Sequence, residues 1–404
     1  MVYSKPQEFG ELTLVFSAGE TAPPQGYYAL AGMVDESVTM TWVKETHPGS
    51  GALAEPVEWE DVSWGSIKAW RPVAPSGYRG LSDAFSSAEL GLTPVPRHLM
   101  RCVKETINGR GYVALGAKLY ALLLETVPPG VFPESPGVLV APGKCTWNCM
   151  RVGGMVVGKD PGDVYVLDLP VRASQGQGPS APVLQGYDIV PQTTPEAIDR
   201  EVIVPCTAVY DRGKTPEWIV VNSPTYTLRR KRFYTLVASL NLKDSDSPGE
   251  ISQAVRWGIT KTQSESFHES TGTKVGFEVG VEAGVEFEGI GAKVHATAST
   301  EISHEMGYET SHSVSTMREE EVAVKADAKA RHTTALYAET HTIHAVRNDV
   351  NHSPVSDSNG LTFKAGVQAV AVQYPPPKPG ETLPWAAPAH LYDQLREVAE
   401  QRTA

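Results

Sequence analysis

The chain has 404 residues, room for two or three domains of ordinary size, with 41% hydrophobic and 20% charged residues. Such a composition builds cores and excludes disorder over the whole length. A net charge of −12 disfavours a nucleic-acid binder, which must neutralise phosphates with basic side chains, and no run of 18 apolar residues offers a transmembrane helix.

The first twenty residues lack a charged lead followed by an apolar stretch, so a chain made without a Sec-type signal peptide is expected. It would be cytoplasmic, or released by lysis or ingestion. The 36 glycines and 31 prolines of the whole chain point to many turns, and up to about residue 190 short strands are expected between them. One phrase recurs here. Gly26-Tyr27-Tyr28-Ala29-Leu30, Gly77-Tyr78-Arg79-Gly80-Leu81 and Gly111-Tyr112-Val113-Ala114-Leu115 each follow a turn, and Gly186-Tyr187 is a weaker echo. The repeat reads as a strand start, with glycine supplying the bend. Its tyrosines either pack in a core or form an exposed aromatic rim. On the second reading Tyr27, Tyr78 and Tyr112, with Trp70, are candidate receptor-binding residues.

The four cysteines are too sparse for a disulfide scaffold. Cys145 and Cys149 lie four apart, but the residues between them supply no further metal ligand. Buried thiols are expected. Arg172–Pro182 reads as a polar linker, and Leu228–Tyr234 (LRRKRFY) as a strand with a concentrated basic patch. That patch is a solvated strand end, a contact for anionic lipid or a protease-sensitive loop, and the alternation of Tyr226, Leu228, Tyr234 and Leu236 favours strand over a cleaved loop.

The most informative stretch runs from 275 to 304. Val275, Phe277, Val279, Val281, Ala283, Val285 and Phe287 are apolar, and only glycine or glutamate stands between them. Glu288-Gly289-Ile290-Gly291 supplies a turn, after which Ala292, Val294, Ala296 and Ala298 alternate with Lys293, His295, Thr297 and Ser299. Strict period-2 patterning on two arms predicts a β-hairpin. Each arm exceeds the roughly 9–11 residues a tilted barrel strand needs to cross hydrocarbon. Val275, Phe277, Val279, Val281, Val285, Phe287 and Val294 would then face lipid, and Glu278, Glu282, Glu286, Lys293 and His295 would line water. A lone hairpin leaves edge groups unpaired, so several copies must close a barrel together. The competing reading is a half-buried hairpin in an ordinary sandwich.

Six histidines gather between 295 and 344, without HExxH or comparable metal spacing. They read as surface or pore-stem residues, with a pH sensor as the functional alternative. No nucleophile elbow, P-loop or dinucleotide fingerprint is present, so neither an enzyme nor a cofactor is expected. Pro375–Gly380 forms a stiff spacer that would hold a short amphipathic helix, within 389–401, away from the β body.

The run Gln253–Arg347 resembles the aerolysin and epsilon-toxin type of β-pore-forming protein. The resembling features are Ser/Thr-rich strands, the amphipathic hairpin, and a returning strand that ends Ile343-His344-Ala345-Val346-Arg347. The N-terminal part resembles the vacuolar protein sorting-associated family of type sixty-two. Gly49-Ser50-Gly51, Ser66–Pro72, Pro75–Asp83 and Arg101-Cys102-Val103 carry that likeness. Together the resemblances imply an all-β protein with a β-prism-like receptor-binding head over 1–190. An elongated aerolysin-like pore-forming module would follow over 191–374, then a spacer and C-terminal helix over 375–404. The implied function is a defence or insecticidal toxin acting at a target-cell plasma membrane. It would be a monomer when soluble and a homo-oligomer in the pore, with a glycan, lipid or protein receptor. A non-perforating carbohydrate- or lipid-binding β protein is the alternative.

Overall fold

The computed structural model describes residues 2–18, 23–30, 39–61, 68–81, 84–86, 96–118, 138–140, 155–157, 163–167, 169–206, 209, 211, 213–260, 263, 284–286, 293–295, 305–306, 320–355, 360–378 and 386–388. The fold is all-β, with one short α-helix among these residues.

Strands β1 (Gln7–Phe9), β2 (Leu12–Ala18), β3 (Tyr28–Ala29) and β4 (Thr39–Glu45) form an antiparallel sheet in the order β1-β2-β4-β3. Next come β5 (Leu53–Ala54), β6 (Glu58–Asp61), β7 (Lys68–Val73), β8 (Tyr78–Arg79), β9 (Ala84–Ser86) and β10 (Cys102–Lys104). They make two three-stranded sheets, β5-β10-β8 and β6-β7-β9. A tight hairpin joins β11 (Thr106–Ile107) to β12 (Arg110–Gly111), and β13 (Val113–Lys118), β14 (Val138–Val140), β15 (Met155–Val157) and β16 (Asp163–Leu167) pair as β13-β16 and β14-β15.

The tyrosine phrase does mark turns. Tyr27 N–H donates to the Pro24 carbonyl and Tyr78 N–H to that of Pro75, at 2.9 and 3.0 Å. Gly26 and Gly77 sit at positive φ in the third turn position, the conformation that favours glycine there. The third copy differs: its turn is the Asn108-Gly109 pair, both at positive φ, the signature of a two-residue hairpin loop.

The second half is built on long strands: β17 (Arg172–Gln175), β18 (Ala197–Pro205), helix α1 (Pro216–Asn222), β19 (Thr225–Asn241) and β20 (Gly249–Trp257). β21 (Gly284–Glu286), β22 (Lys293–His295), β23 (Glu320–Ala328), β24 (Thr333–Arg347), β25 (Leu361–Tyr374) and β26 (Ala386–Pro388) complete it. A five-stranded antiparallel sheet runs β17-β18-β19-β24-β25, and a three-stranded sheet runs β20-β23-β26. At about 3.3 Å per residue the 17-residue β19 is roughly 55 Å long.

Two cores divide this long sheet. At one end Tyr226, Leu228 and Ile343 join Phe9, Leu12, Phe16 and Trp42 of the N-terminal sheet in one cluster. At the other end Leu336, Ala338, Ala369 and Ala371 pack on Ile251, Val255, Val322 and Val324 of the three-stranded sheet. The opposite face there is covered by the segment before β18, through Leu184 against Ala335 and Tyr337. Within and at the edge of the second core the register slips on both sides of β24, at Leu236/Ala238 on β19 and at Ala338/Thr340 against β25. Paired irregularities at one level bend the sheet and increase its twist.

Two expectations about connections are corrected. Arg172–Gln175, expected in a linker, pairs with Arg200–Ile203 as the edge strand β17. The chain beyond the proline spacer does not stay apart from the β body: Ala386, Ala387 and Pro388 pair with Ala326, Lys325 and Val324 on β23. The proposed C-terminal helix, and Cys145 and Cys149, lie outside the described residues. Cys102 and Cys206 are buried thiols, and burial pushes the Cys102 thiol up to about 12, leaving it protonated and inert.

Candidate functional site

The site is the 258–319 connection between β20 and β23, together with the sheet from which it emerges. β20 and β23 alternate as half-buried strands should: Ile251, Val255 and Trp257 on one, and Val322, Val324 and Ala326 on the other, are buried, with polar residues between. Within the connection, β21 pairs antiparallel with β22 in the register Gly284↔His295, Val285↔Val294 and Glu286↔Lys293. Directly opposed residues of an antiparallel pair share a face. This register therefore sets an apolar residue against an apolar one and a lumen candidate against a lumen candidate. The expected turn at Glu288–Gly291 lies outside the described residues. Val275, Phe277, Val279, Val281, Phe287, Glu278 and Glu282 lie outside the described residues.

The connection leaves and rejoins the body at two anchored points. On the leading side, Gln263 donates from its side chain to the Thr362 carbonyl of β25 at 2.9 Å, and Gly258 bridges to Lys364. On the returning side, Met306 is wholly buried in the main core. Its carbonyl accepts from Arg230 Nη1 at 2.5 Å, while that of Glu305 accepts from Arg200 at 3.5 Å.

Arg230 belongs to a cluster of charges across β18, β19 and β24. It donates to both oxygens of Asp199, from Nε at 2.8 Å and from Nη2 at 2.5 Å. Arg232 bridges Asp199, at 3.1 Å, and Glu339, at 2.8 Å. His341 Nε2 lies 2.7 Å from Glu339, and its ring meets Phe363 edge-on. Asp199 sits at the irregularity in β18, between Ile198 and Arg200, beyond regular strand pairing. Burial works against its charge, but Arg230 and Arg232 hold its carboxyl below the usual range. Burial likewise opposes ionisation of Glu339, yet hydrogen bonds from His341 and Arg232 hold it at about 2. Burial lowers His341, which the neighbouring arginines reinforce and Glu339 opposes. His341 is thus a neutral buried residue, a correction to the surface expectation. On the same strand His344 is half-buried.

This cluster also corrects the basic-patch reading. Arg229 binds Glu201 at 2.7 Å and Lys231 binds Glu196 at 2.8 Å, so all four cations of the run face carboxylates. The run lies mid-sheet, not at a solvated end. Only the partner carboxylates, 28 to 107 residues away in sequence, make that visible.

The aromatic rim is corrected as well. Tyr27, Trp70 and Tyr112 are buried, so their rings serve packing and offer no face to a ligand. The Tyr112 hydroxyl accepts from Glu11 N–H at 3.1 Å. Tyr78 is half-buried and donates to the Gly51 carbonyl at 2.7 Å. An aromatic missed in the sequence is Tyr28, on whose ring Arg101 stacks at 3.6 Å.

Comparison with known proteins adds one family. The model of a family described as Insecticidal Crystal Toxin, P42, matches residues 200–361, less than half of the chain. No curated protein matches. Among solved structures, that titled Crystal structure of Cry35Ab1 aligns at 11% identity and a TM-score of 0.37, covering 92% of this chain and 79% of that one. The family match begins beyond the residues that resemble the vacuolar protein sorting-associated type, and that resemblance finds no support.

Proposed function

We propose that the chain is a β-pore-forming toxin, insecticidal in target, that binds a receptor on the target cell, oligomerises, and inserts the 275–304 hairpin into the membrane. The observation that carries this reading is the β21–β22 register, which pairs Val285 with Val294 and Glu286 with Lys293. Over these pairs an apolar residue stands opposite an apolar one and a charged residue opposite a charged one, as a barrel wall requires. The partial match to insecticidal crystal toxins spans the same half of the chain and supports the direction of the activity.

The deciding experiment deletes Gly276–Thr300 behind a short Gly-Ser bridge. Target-cell binding should survive and dye release should be abolished; leakage at the wild-type level would refute the pore assignment.

A further inference from the structure

Met306 anchors the returning side of the connection in the core, and three features set it apart from Gln263 on the leading side. Its side chain is fully buried in the cluster shared by the N-terminal and five-stranded sheets, whereas Gln263 is exposed. Its carbonyl accepts a charge-assisted hydrogen bond, which is stronger than a neutral one. The donor is the Arg230 nitrogen other than the two that hold Asp199. That bond can therefore break while Asp199 keeps both of its bonds to the guanidinium. A separation that strips no buried carboxylate of its counterion is far easier than one that does.

We propose that Met306 and Arg230 form an inhibitory latch, and that withdrawal of Met306 from the core limits the rate of pore formation. The inference rests on the pore-forming reading above and adds the step that restrains it. The leading side has a buried anchor of its own in the same core, Ile259, directly beyond β20; release of Met306 is the step that frees the returning arm. The Asp199–Arg230–Arg232–Glu339 cluster stays intact and keeps β18, β19 and β24 together as the scaffold of the assembled state.

The test compares wild type, Met306→Ala, Met306→Leu and Val209→Ala on calcein-loaded target cells, which carry the receptor, with hydrogen exchange of the soluble proteins in parallel. Val209 is buried in the same core and lies outside the latch, so its truncation controls for general loosening. Truncating a buried methionine should accelerate release by about tenfold or more, and the near-isosteric leucine should restore the wild-type rate. Exchange should rise in peptides around 300–310 and stay unchanged in β19 and β24. Equal rates for Met306→Ala and wild type, or equal acceleration by Val209→Ala, would overturn the latch. An absence of leakage from wild type would instead overturn the pore reading and the latch with it.

Discussion

Arg230 grips Asp199 through both carboxylate oxygens, at 2.8 and 2.5 Å, with each side chain about 95% buried. The pair sits where the long sheet passes from one core to the other, beside an irregularity in β18. Replacing Asp199 with alanine leaves the buried Arg230 without its carboxylate, while Arg232 keeps Glu339. Loss of one member of a buried ion pair costs about 3–5 kcal/mol. The urea midpoint of Asp199→Ala should fall by that measure, and an Asp199→Ala/Arg230→Met double variant should recover part of it. A midpoint within error of wild type would show that the pair contributes nothing to the fold.

The same cluster sets a pH dependence whose sign follows from the shifts. Folding lowers the pKa of His341, so the stability of the neutral ring is complete above the unfolded value of about 6.5 and declines as pH falls below it. His344 adds to the same slope, through burial and the nearby Lys231. Asp199 and Glu339 are also lowered, so their contribution is complete above the unfolded carboxylate values near 4 and is lost as pH falls further, to about 2 for Glu339. Two acid phases are expected in a plot of melting temperature against pH. His341→Gln should shrink the first, leaving the part that His344 contributes, and should start the loss in the second at a higher pH wherever the glutamine fails to replace the hydrogen bond to Glu339.

The turn between β24 and β25 offers a local check on the backbone. Gly360 has φ of +77°, and a Cβ added there would stand 2.4 Å from the Ile343 carbonyl oxygen. Both conformation and space demand glycine at this position. Gly360→Ala should destabilise by about 1–3 kcal/mol, read as a lower melting temperature with unchanged far-UV circular dichroism.

How far the sequence discloses this structure depends on whether a signal is local or distant. The hairpin register is legible because period-2 alternation and a glycine turn are properties of adjacent residues: Val285 opposite Val294 follows from counting outward from Gly289-Ile290. The Gly26 and Gly77 turns are legible for the same reason. Arg230 is not. Its neighbours Arg229, Lys231 and Arg232 suggest a solvated patch, because the carboxylates that neutralise them come from β18, β24 and the segment before β18. The buried Tyr27 and Tyr112 are ambiguous by nature, since an amphipathic ring suits a core and a rim alike. Arg172–Gln175 was hidden by composition: a short edge strand exposed along its length is as polar as a linker.

Ion selectivity tests the water-facing side of the hairpin. Glu278, Glu282 and Glu286 outnumber Lys293 and His295 on the proposed lumen face, and the ring repeats them in every subunit. The pore should therefore prefer cations. Reversal potentials in planar bilayers under a salt gradient should report this. Glu282→Gln with Glu286→Gln should shift them toward zero. Anion preference in the wild type, or no shift in the double variant, would place these residues off the lumen.

The C-terminal segment supplies the last test, because β26 occupies the outer edge of β23. β23 is the strand that receives the chain returning from the hairpin. A strand that enters a closed barrel needs a neighbour on each side, since unpaired edge groups are not tolerated in hydrocarbon. With β20 on one side, the side held by Ala386–Pro388 is the one a neighbouring copy must use. Three paired residues make a weak cover, and the proline among them lacks a backbone donor. The proline-rich spacer before them, exposed at Pro376 and Lys378, is a natural place for nicking. Truncation after Lys378 should leave β25 whole, uncover the β23 edge, and speed conversion of monomer to oligomer on target-cell membranes. The alternative role, a stabilising clasp, predicts unchanged assembly with a lower melting temperature. Comparing gel-resolved oligomer yield with thermal melts of the same samples separates the two.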